Sequence, residues 1–475
     1  VCPDARAKDA VQVGAVKLEL TPPVSVPLAG YSRRKGKRST GVHDPLFVRA
    51  VVLQDAATTV ALVSCDLLII DEALFEAVRR KLEPALNGRS LTLLLAATHT
   101  HSGPGAYGRK FLEKLSMGHF DPRVFEFLVE RIAEAVTAAA SALQPASLRY
   151  ATGSATGLAV NRMELNGVVD AELTVVAFET AARKPLAILV NFSAHPTTLG
   201  AWNMQLSADY PGVLTRLVES RYPGALCLFL VGAVGDQAPV KQGEGFALAE
   251  QLGGQLAQQV LALLEEPSAS PQSSGVSVRQ RTVKLPRARL RIGWLRIPSW
   301  LGQLLVDDDA TLTTVGVGPA MLIGVPCDLS AELGLELKAH ARQRGWHPLI
   351  AGFANDYIGY CLPERFYHAK TYEASMAFNG PQTGELLVGE LKRMMDQLAV
   401  GSRQKAVGSE QNARAFSWSF SCSLLPAYCF LLRLRRRVWS GVKGSPSSFS
   451  KALPMSLAGS TGSCCGSRSG RRSDS

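Results

Sequence analysis

Two histidines, His99 and His101, stand two positions apart directly after the apolar run Leu91–Ala97. Alternate side chains of an extended segment point to the same side, so both imidazoles are expected to project together from a strand end. Neutral imidazole is a common zinc ligand, and a zinc site needs three or four converging ligands. Because the chain has only 8 histidines in 475 residues, the pair predicts a metal site. Hydrogen bonding of both rings to loop carbonyls is the alternative.

Four further apolar runs end in polar or small residues that suit such a site. In α/β sheets, ligands collect beyond the carboxyl ends of parallel strands, so these ends are predicted to meet near the histidine pair. The runs and the residues after them are 186–192 with His195, 228–231 with the turn Gly232-Ala233-Val234-Gly235, 321–325 with Asp328, and 349–353 with Tyr360 and Tyr372.

Each of these residues also has an ordinary structural interpretation. His195 is equally consistent with a loop histidine that faces solvent. Asp328 precedes a predicted helix at 330–344, where an aspartate is more often an N-cap than a ligand. The tyrosines after residue 353 suit a pocket wall, a phenolate ligand or amphipathic cover. The turn at Gly232 brings backbone N–H groups within reach of an oxyanion, although glycine-rich turns are common.

The elements that must position these residues alternate along the chain. Apolar strands at 60–70 and Leu91–Ala97 are each followed by amphipathic stretches, at 72–86 and 111–143. This alternation predicts an α/β (α+β) fold, with mixed sheets covered by helices and the site at strand carboxyl ends. A Pro/Ser-rich break begins at residue 265 and leads into a basic, strand-like stretch, so 265–291 is a candidate connection between two lobes.

Charge separates a body, residues 1–400, from a tail, residues 401–475. The tail holds 12 Lys or Arg against 2 Asp or Glu, which accounts for ten of the eleven net positive charges. Because the body is nearly neutral, nucleic acid is not an expected partner. The Ser-, Gly- and Arg-rich tail is predicted to be mostly disordered. A membrane span at 415–432 is the less favoured alternative, since that stretch contains Pro426 and four serines.

The ordered motifs of residues 13–380 resemble the neutral/alkaline (non-lysosomal) ceramidases, a family of zinc-dependent amidases. The string at 97–105 (ATHTHSGPG) is the most specific of them, and the others are diagnostic through their order. They are Gly41-Val42-His43-Asp44-Pro45-Leu46, Asn161-Arg162, residues 191–196 (NFSAHP), Gly235-Asp236, residues 325–328 (VPCD), residues 355–360 (NDYIGY) and Tyr372-Glu373.

The resemblance implies a Zn²⁺ ion held by His99, His195, Asp328 and Tyr360. Asp328 stands where the family has a ligand glutamate, one methylene longer. The 12-residue step from Tyr360 to Tyr372 matches the family's spacing between its ligand tyrosine and its active-site tyrosine.

Four positions are implied to act on the substrate. His101 would be an acid/base or oxyanion-stabilising group beside the metal, while Arg162 and Tyr372 would contact the substrate. The family's active-site serine falls on Gly232, so a hydroxyl is expected to be missing there. The family's C-terminal immunoglobulin-like domain is also expected to be absent, because residues 401–475 bear no likeness to a sandwich.

The function implied by the resemblance is zinc-dependent hydrolysis of linear amides. An N-acylsphingosine-type bond would be cleaved to a fatty acid and an amine, with a lipid-like N-acyl substrate and an option of association with a membrane surface. A secreted, periplasmic or cell-surface location is implied in the same way. The alternatives are a metal hydrolase of another amide or an ester, and a catalytically weakened protein that keeps zinc for structure.

Overall fold

The computed structural model of this chain describes residues 11–86, 90–266, 275–292, 295–303 and 305–399. The tail at 401–475, the candidate span at 415–432 and most of the break after residue 265 lie outside these ranges, so what was expected of them stays a prediction. The expected absence of an immunoglobulin-like domain is likewise untested. Within the described ranges, no helix combines the length and the apolar character needed to cross a bilayer.

Strands and helices alternate through most of the described chain. The strands are β1 (Val11–Glu19), β2 (Gly41–Val42), β3 (Phe47–Gln54), β4 (Thr59–Cys65), β5 (Leu91–Ala97), β6 (Gln144–Ser154), β7 (Ala159–Asn161), β8 (Glu172–Glu179), β9 (Pro185–Phe192), β10 (Gln205–Leu206), β11 (Leu226–Val231), β12 (Gln237–Pro239), β13 (Val276–Lys284), β14 (Arg291–Ile292), β15 (Leu295–Arg296), β16 (Asp309–Val317), β17 (Ala320–Gly324), β18 (Asp328–Leu329), β19 (His347–Ala351) and β20 (Tyr360–Cys361). The helices are α1 (Glu72–Leu82), α2 (Phe111–Met117), α3 (Pro122–Ser141), α4 (Asp209–Arg221), α5 (Gly245–Glu265), α6 (Ser299–Gly302), α7 (Ala331–Gln343), α8 (Tyr372–Ser375) and α9 over residues 383–399.

The largest sheet has eight strands in the order β11-β9-β8-β6-β1-β3-β4-β5. Its neighbours are antiparallel except for the pairs β4–β5 and β9–β11, which are parallel. Helices pack on it, with α3 against β1 and β3 and α4 against β11. Strands covered on both sides read as continuous apolar runs, and β11 (LCLFLV) is buried along its whole length. The predicted class, mixed sheets covered by helices, is confirmed at this level.

A second, four-stranded sheet, β13-β16-β17-β19, packs on the first through a shared cluster of buried apolar side chains. The edge strand β11 contacts both β4 and β19, although β4 lies near the opposite edge of the large sheet. Buried amides tie these strands together. The Asn191 side chain donates to Leu230 O at 2.8 Å and to Ile350 O at 2.7 Å, and the Asn355 amide bridges β5 and β16. Strand ends that are far apart in the sequence are thereby brought close together.

One predicted helix is divided in two. The amphipathic stretch at 111–143 forms α2 and α3, because Gly118 ends α2 with φ +80°. The side chain of Asp121 then accepts a hydrogen bond from Arg123 N, and Pro122 occupies the first turn of α3. The helices predicted at 72–86 and 330–344 form as α1, followed by a 3-10 turn, and as α7. Residues 276–284 become β13 of the second sheet.

Candidate metal centre

The loop after β5 carries His99 and His101, but not in the extended conformation expected from their spacing. His99 has φ +64°, in the left-handed region that costs a non-glycine residue about 1–2 kcal/mol. The turn brings the two rings edge to face, with their Nε2 atoms 3.2 Å apart. The convergence of the imidazoles is therefore observed, while the geometric reason for it was wrong. Left-handed strain of this kind is typical of functional sites.

His195, after β9, completes a cluster of three imidazoles. Its Nε2 lies 3.0 Å from Nε2 of His99, and the ring nitrogens of His99, His101 and His195 all lie within 4.8 Å of one another. Among the described residues this is the one group of three or more His, Cys, Asp or Glu that is close enough to hold a metal ion. The loop-carbonyl alternative for His99 and His101 holds for Nδ1 of His99, whose Nε2 stays free of carbonyls. The solvent-facing alternative for His195 is wrong, because that residue is buried.

The protonation of this cluster is set by burial and by two carbonyls. Burial lowers the pKa of His99 to about 3 and holds the pKa values of His101 and His195 well below the ordinary range. Nδ1 of His99 lies 2.7 Å from Leu68 O, and Nδ1 of His195 lies 2.7 Å from Val234 O. A carbonyl only accepts, so each Nδ1 carries the proton and each Nε2 presents a lone pair.

Two facing lone pairs 3.0 Å apart repel each other unless a cation lies between them. Tetrahedral zinc with nitrogen ligands at about 2.0–2.1 Å requires ligand atoms roughly 3.3 Å apart, close to the Nε2 separations seen here. The neutral rings are also in the protonation state that binds a metal. The donor set therefore fits a zinc ion.

Asp328 supplies an oxygen beside the cluster. Its Oδ1 lies 3.4 Å from Nε2 of His195 and 3.8 Å from Nε2 of His99, and it is buried without a hydrogen-bond partner. Oδ2 accepts a hydrogen bond from the Tyr357 hydroxyl at 2.8 Å. Burial raises the pKa of Asp328 to about 7, opposed by that hydrogen bond and by Arg162. A buried, unpartnered carboxyl oxygen that faces two lone pairs is stabilised by a cation placed between them.

The N-cap interpretation of Asp328 is wrong. Helix α7 begins after Ser330, two residues later. The first N–H of the helix, from Ala331, donates to Oδ1 of Asp236 at 2.7 Å. Asp236, which is distant in the sequence, therefore caps the start of α7. Asp328 takes no part in capping and faces the histidines.

Tyr360 and Arg162 form the next part of the site. Asp328 and Tyr360 are direct partners in the parallel β18–β20 pair. Arg162 donates from Nη2 to the Tyr360 hydroxyl at 2.8 Å and to Gly235 O at 2.9 Å, and its Nε pairs with Glu373 at 2.9 Å. Burial holds the pKa of Tyr360 well above its ordinary value, with Asp328 adding to this and Arg162 opposing it.

Tyr372 lies at the outer side of this group. Its ring is 5.8 Å from the Tyr360 ring, edge to face, and 61% of the residue is exposed. The predicted residues His99, His101, His195, Asp328, Tyr360, Arg162 and Tyr372 thus lie in one connected site. The sequence placed Tyr357 among the tyrosines after residue 353 and Glu373 in a motif with Tyr372, but it did not predict that they contact Asp328 and Arg162.

Gly232 sits at the end of β11, beside the end of β9. Its N–H donates to Phe192 O at 3.0 Å. A β-carbon added at Gly232 would lie 2.1 Å from the Ser193 hydroxyl oxygen and 3.2 Å from Ser193 Cβ. The hydroxyl of Ser193 therefore occupies the volume that a side chain at position 232 would need.

A buried ionic network holds Ser193 from behind. Ser193 donates to Oδ2 of Asp170 at 3.1 Å, and Lys338 Nζ donates to the same oxygen at 2.6 Å. The Lys338 side chain is fully buried. The backbone N–H of Asp170 donates to Gln237, whose carbonyl in turn accepts the N–H of His195. The network joins α7 to the strand end that carries His195, and sequence reasoning did not anticipate it.

Comparisons with known proteins agree with this architecture. Residues 11–227 match the family model described as neutral/alkaline non-lysosomal ceramidase, N-terminal. The neutral ceramidase of Pseudomonas aeruginosa is 24% identical, over 80% of this chain and 71% of the relative. The neutral ceramidase of Mycobacterium tuberculosis is 28% identical over 42% of this chain, and neutral ceramidase A of Dictyostelium discoideum is 26% identical over 45%. These two alignments span about a third of each relative, 34% and 32%.

The fold is shared with solved ceramidase structures. The crystal structure of the Pseudomonas aeruginosa neutral ceramidase superposes with a TM-score of 0.73 at 21% identity, covering 82% of this chain and 74% of that one. A ceramidase complexed with C2 gives the same TM-score over 83% of this chain. The matched family model, the curated relatives and the shared fold together make this chain similar to the neutral/alkaline non-lysosomal ceramidases, in sequence over residues 11–227 and in fold over 82% of its length.

Proposed function

We propose that this protein is a zinc-dependent hydrolase of linear amides that cleaves an N-acylsphingosine-type bond to a fatty acid and an amine. The observation that carries the proposal is the meeting of uncompensated electron pairs in a buried site. Nε2 of His99, Nε2 of His195 and the unpartnered Oδ1 of Asp328 face one another within 3.8 Å. The relatives named neutral ceramidase support the choice of an N-acyl lipid as substrate.

The residues that would hold the metal are His99, His195, Asp328 and Tyr360. Arg162 donates to the Tyr360 oxygen, so a cation near that oxygen would stabilise its phenolate form. When bound, zinc supplies a water-derived nucleophile at neutral pH and polarises a carbonyl. Because metals reverse the local pKa logic, the raised pKa of Asp328 is a property of the metal-free site.

The remaining residues act on protons and charge. Nε2 of His101 lies 3.2 Å from Nε2 of His99. In the tautomer that carries the proton on Nδ1, this Nε2 would accept a proton from the attacking water and return it to the leaving amine. Arg162 has its Nε and Nη2 donors engaged, which leaves Nη1 to stabilise the oxyanion of the tetrahedral intermediate. Exposed Tyr372 is positioned to contact the substrate where it enters.

Position 232 favours one alternative within the hydrolases. With glycine there, and with the Ser193 hydroxyl committed to Asp170, no side-chain hydroxyl of residue 232 contributes to oxyanion binding. Loss of one hydrogen-bond donor to the oxyanion slows hydrolysis most for the least reactive substrate, which is an amide. A second candidate function is therefore hydrolysis of another amide or of an ester.

A lipid-like substrate also requires access from a lipid phase. Leu165, three residues after Arg162, is 96% exposed, and Trp202, seven residues after His195, is 60% exposed. Apolar side chains on loops that follow site residues are suited to contact with lipid. We include association with a membrane surface in the proposal on this basis. A structural zinc is the less favoured role, because structural sites are closed and Tyr372 lies at an exposed side of this one.

A substrate panel tests the proposed function. The purified protein would be incubated with a short-chain N-acylsphingosine, simple N-acyl amides and matched esters, and the products quantified by mass spectrometry. We expect release of fatty acid from the N-acylsphingosine, its loss on chelation and its return with zinc. Turnover of esters alone would favour the second candidate, and no turnover of any substrate by the zinc-loaded protein would contradict both.

A further inference from the structure

His101 is held differently from the other two histidines of the cluster. His99 and His195 each direct Nδ1 at a backbone carbonyl 2.7 Å away, which fixes the orientation of their rings. Nδ1 of His101 is buried without a hydrogen bond of this geometry, and the backbone of Gly30 lies against it. Some other part of the fold must therefore set the position of this ring.

The segment at 29–34 (AGYSRR) lies directly on His101. A β-carbon added to Gly30, which has φ +103°, would fall 2.6–2.8 Å from three atoms of the His101 side chain, so the glycine backbone rests against the ring. The Tyr31 ring also packs on the His101 ring, with centroids 4.9 Å apart and the planes tilted by 55°. The Tyr31 hydroxyl donates to Leu199 O at 3.1 Å.

Arg34 joins this segment to the site by hydrogen bonds to backbone carbonyls. Its Nη1 donates to the carbonyl of His101 at 2.6 Å and to that of Ala29 at 2.7 Å, and its Nη2 donates to Gly200 O at 3.3 Å. The guanidinium carbon lies 4.8 Å from the Tyr31 ring centroid. One side chain therefore joins its own loop, the His101 loop and the loop that follows His195.

Burial of the Arg34 guanidinium costs free energy, because the group loses its contact with water. The residue is 3% exposed, and throughout the described chain no carboxylate lies within ion-pair distance of it. A buried cation that is satisfied only by carbonyls is disfavoured unless its geometry is required. A planar fork with several donors suits the bridging of three carbonyls, which a lysine ammonium on a flexible stem does less well.

We propose that Arg34 and Tyr31 are positioning residues that hold His101 with its Nε2 directed at the metal cluster. They replace the Nδ1–carbonyl bond that orients each of the other two rings. The functional consequence rests on the proposed function, because it takes His101 as the proton-transferring group. The structural claim, that the ring orientation of His101 depends on Arg34, does not.

The test uses the whole protein labelled with ¹⁵N only at histidine, which gives eight ring systems to follow by NMR. His101→Gln identifies the His101 signals by their loss. In Arg34→Gln we expect the His101 ring signals to shift or broaden while those of His99 and His195 keep their positions. Arg33→Gln is the matched control, since it removes the same charge from the exposed neighbouring residue, and it should leave all the ring signals unchanged.

A second variant covers the case in which Arg34→Gln does not fold. Arg34→Lys keeps a cation but loses the fork, and it should move the same His101 signals by less. Unchanged His101 signals in a folded Arg34 variant would overturn the proposal, as would equal shifts of all three site histidines.

Enzyme kinetics distinguish the positioning of His101 from a general loss of stability. On N-acylsphingosine, Arg34→Gln should lower kcat tenfold or more and leave KM within about threefold. In the His101→Gln background it should lower kcat by no more than about twofold. An equal loss in both backgrounds would contradict the positioning role. If the wild-type protein hydrolyses nothing while the NMR result holds, the proposed function fails and the positioning of His101 stands.

Discussion

Adding a methyl group at Gly232 tests the packing at the junction of β9 and β11. The new β-carbon would lie 2.1 Å from the Ser193 hydroxyl oxygen, more than 1 Å inside normal contact. Either the backbone shifts, or Ser193 rotates and gives up its hydrogen bond to Asp170. Overpacking a core costs about 1–3 kcal/mol, and leaving a buried acceptor short of a partner costs a similar amount. We expect Gly232→Ala to lower the free energy of unfolding by about 1–3 kcal/mol.

The assay is urea denaturation followed by circular dichroism, with two comparison variants. Gly254→Ala is the matched control, because a β-carbon at this mid-helix glycine meets nothing within 4 Å. It should stabilise the protein by about 0.5–1 kcal/mol, the usual gain for Ala over Gly in a helix. In the double variant Ser193→Ala/Gly232→Ala the colliding oxygen is gone, and the closest contact of the new β-carbon is the one of 3.2 Å to Cβ of residue 193. Adding Gly232→Ala to Ser193→Ala should therefore lower the free energy of unfolding by less than adding it to the wild type.

A Gly232→Ala protein as stable as the wild type would contradict the collision, as would an equal loss of stability with and without the Ser193 hydroxyl. A further comparison concerns activity. Gly232→Ser introduces a hydroxyl at the position where the family has its active-site serine, but it meets the same collision. Paired with Ser193→Ala, it should fold better than alone and hydrolyse the amide substrate faster than Ser193→Ala does. A double variant no more active than Ser193→Ala would contradict the role given to the missing hydroxyl.

Three other predictions follow from buried contacts. Tyr357→Phe removes the hydrogen bond that orients Asp328 and should weaken zinc binding about 10–100-fold in chelator competition. Lys338→Met leaves the carboxylate of Asp170 without its buried partner and should lower the free energy of unfolding by about 3–5 kcal/mol in urea. Burial raises the pKa of Asp71 from 3.8 to about 7, so the stability from its neutral form is full below pH 4 and is lost as the pH rises through 7. The side chain of Asp71→Asn stays neutral and still caps α1. The free energy of unfolding of this variant, relative to that of the wild type, should therefore rise across that pH range.

Each of these predictions has an outcome that would contradict it. Tyr150→Phe, on a strand of the large sheet, is the control for the Tyr357 variant, and equal zinc affinities for the two would remove the orienting role. A Lys338→Met protein that unfolds at the wild-type urea concentration would show that the ion pair contributes nothing. A stability difference for Asp71→Asn that stays flat between pH 4 and pH 8 would show that Asp71 is ionised throughout.

Sequence reasoning located the site because its signals are local. Apolar runs such as Leu91–Ala97 predict strands, and the carboxyl ends of parallel strands lie at one edge of a sheet. His99, His195 and Asp328, which follow such runs, were therefore expected to converge. The helices were found where amphipathic periodicity was continuous. The division of 111–143 was missed, although Gly118 and the Asp121-Pro122 pair are recognisable stop and start signals.

The remaining features depend on proximity that no local pattern encodes. Lys338 and Asp170 are 168 positions apart, and they meet because α7 packs beside the segment that precedes β8. The left-handed conformation of His99 is imposed by the surrounding loops and is not favoured by the residue itself. The collision between Ser193 and position 232 likewise arises only once two parallel strands are in register.

If the site binds zinc and the zinc is required for hydrolysis, removing one ligand should remove both. Zinc would be measured by mass spectrometry in the wild type and in His99→Ala, together with release of fatty acid from N-acylsphingosine by the same samples. We expect about one zinc per wild-type chain, and loss of both zinc and activity in His99→Ala. Full zinc occupancy in the variant, or full activity in a metal-free wild-type sample, would contradict this expectation.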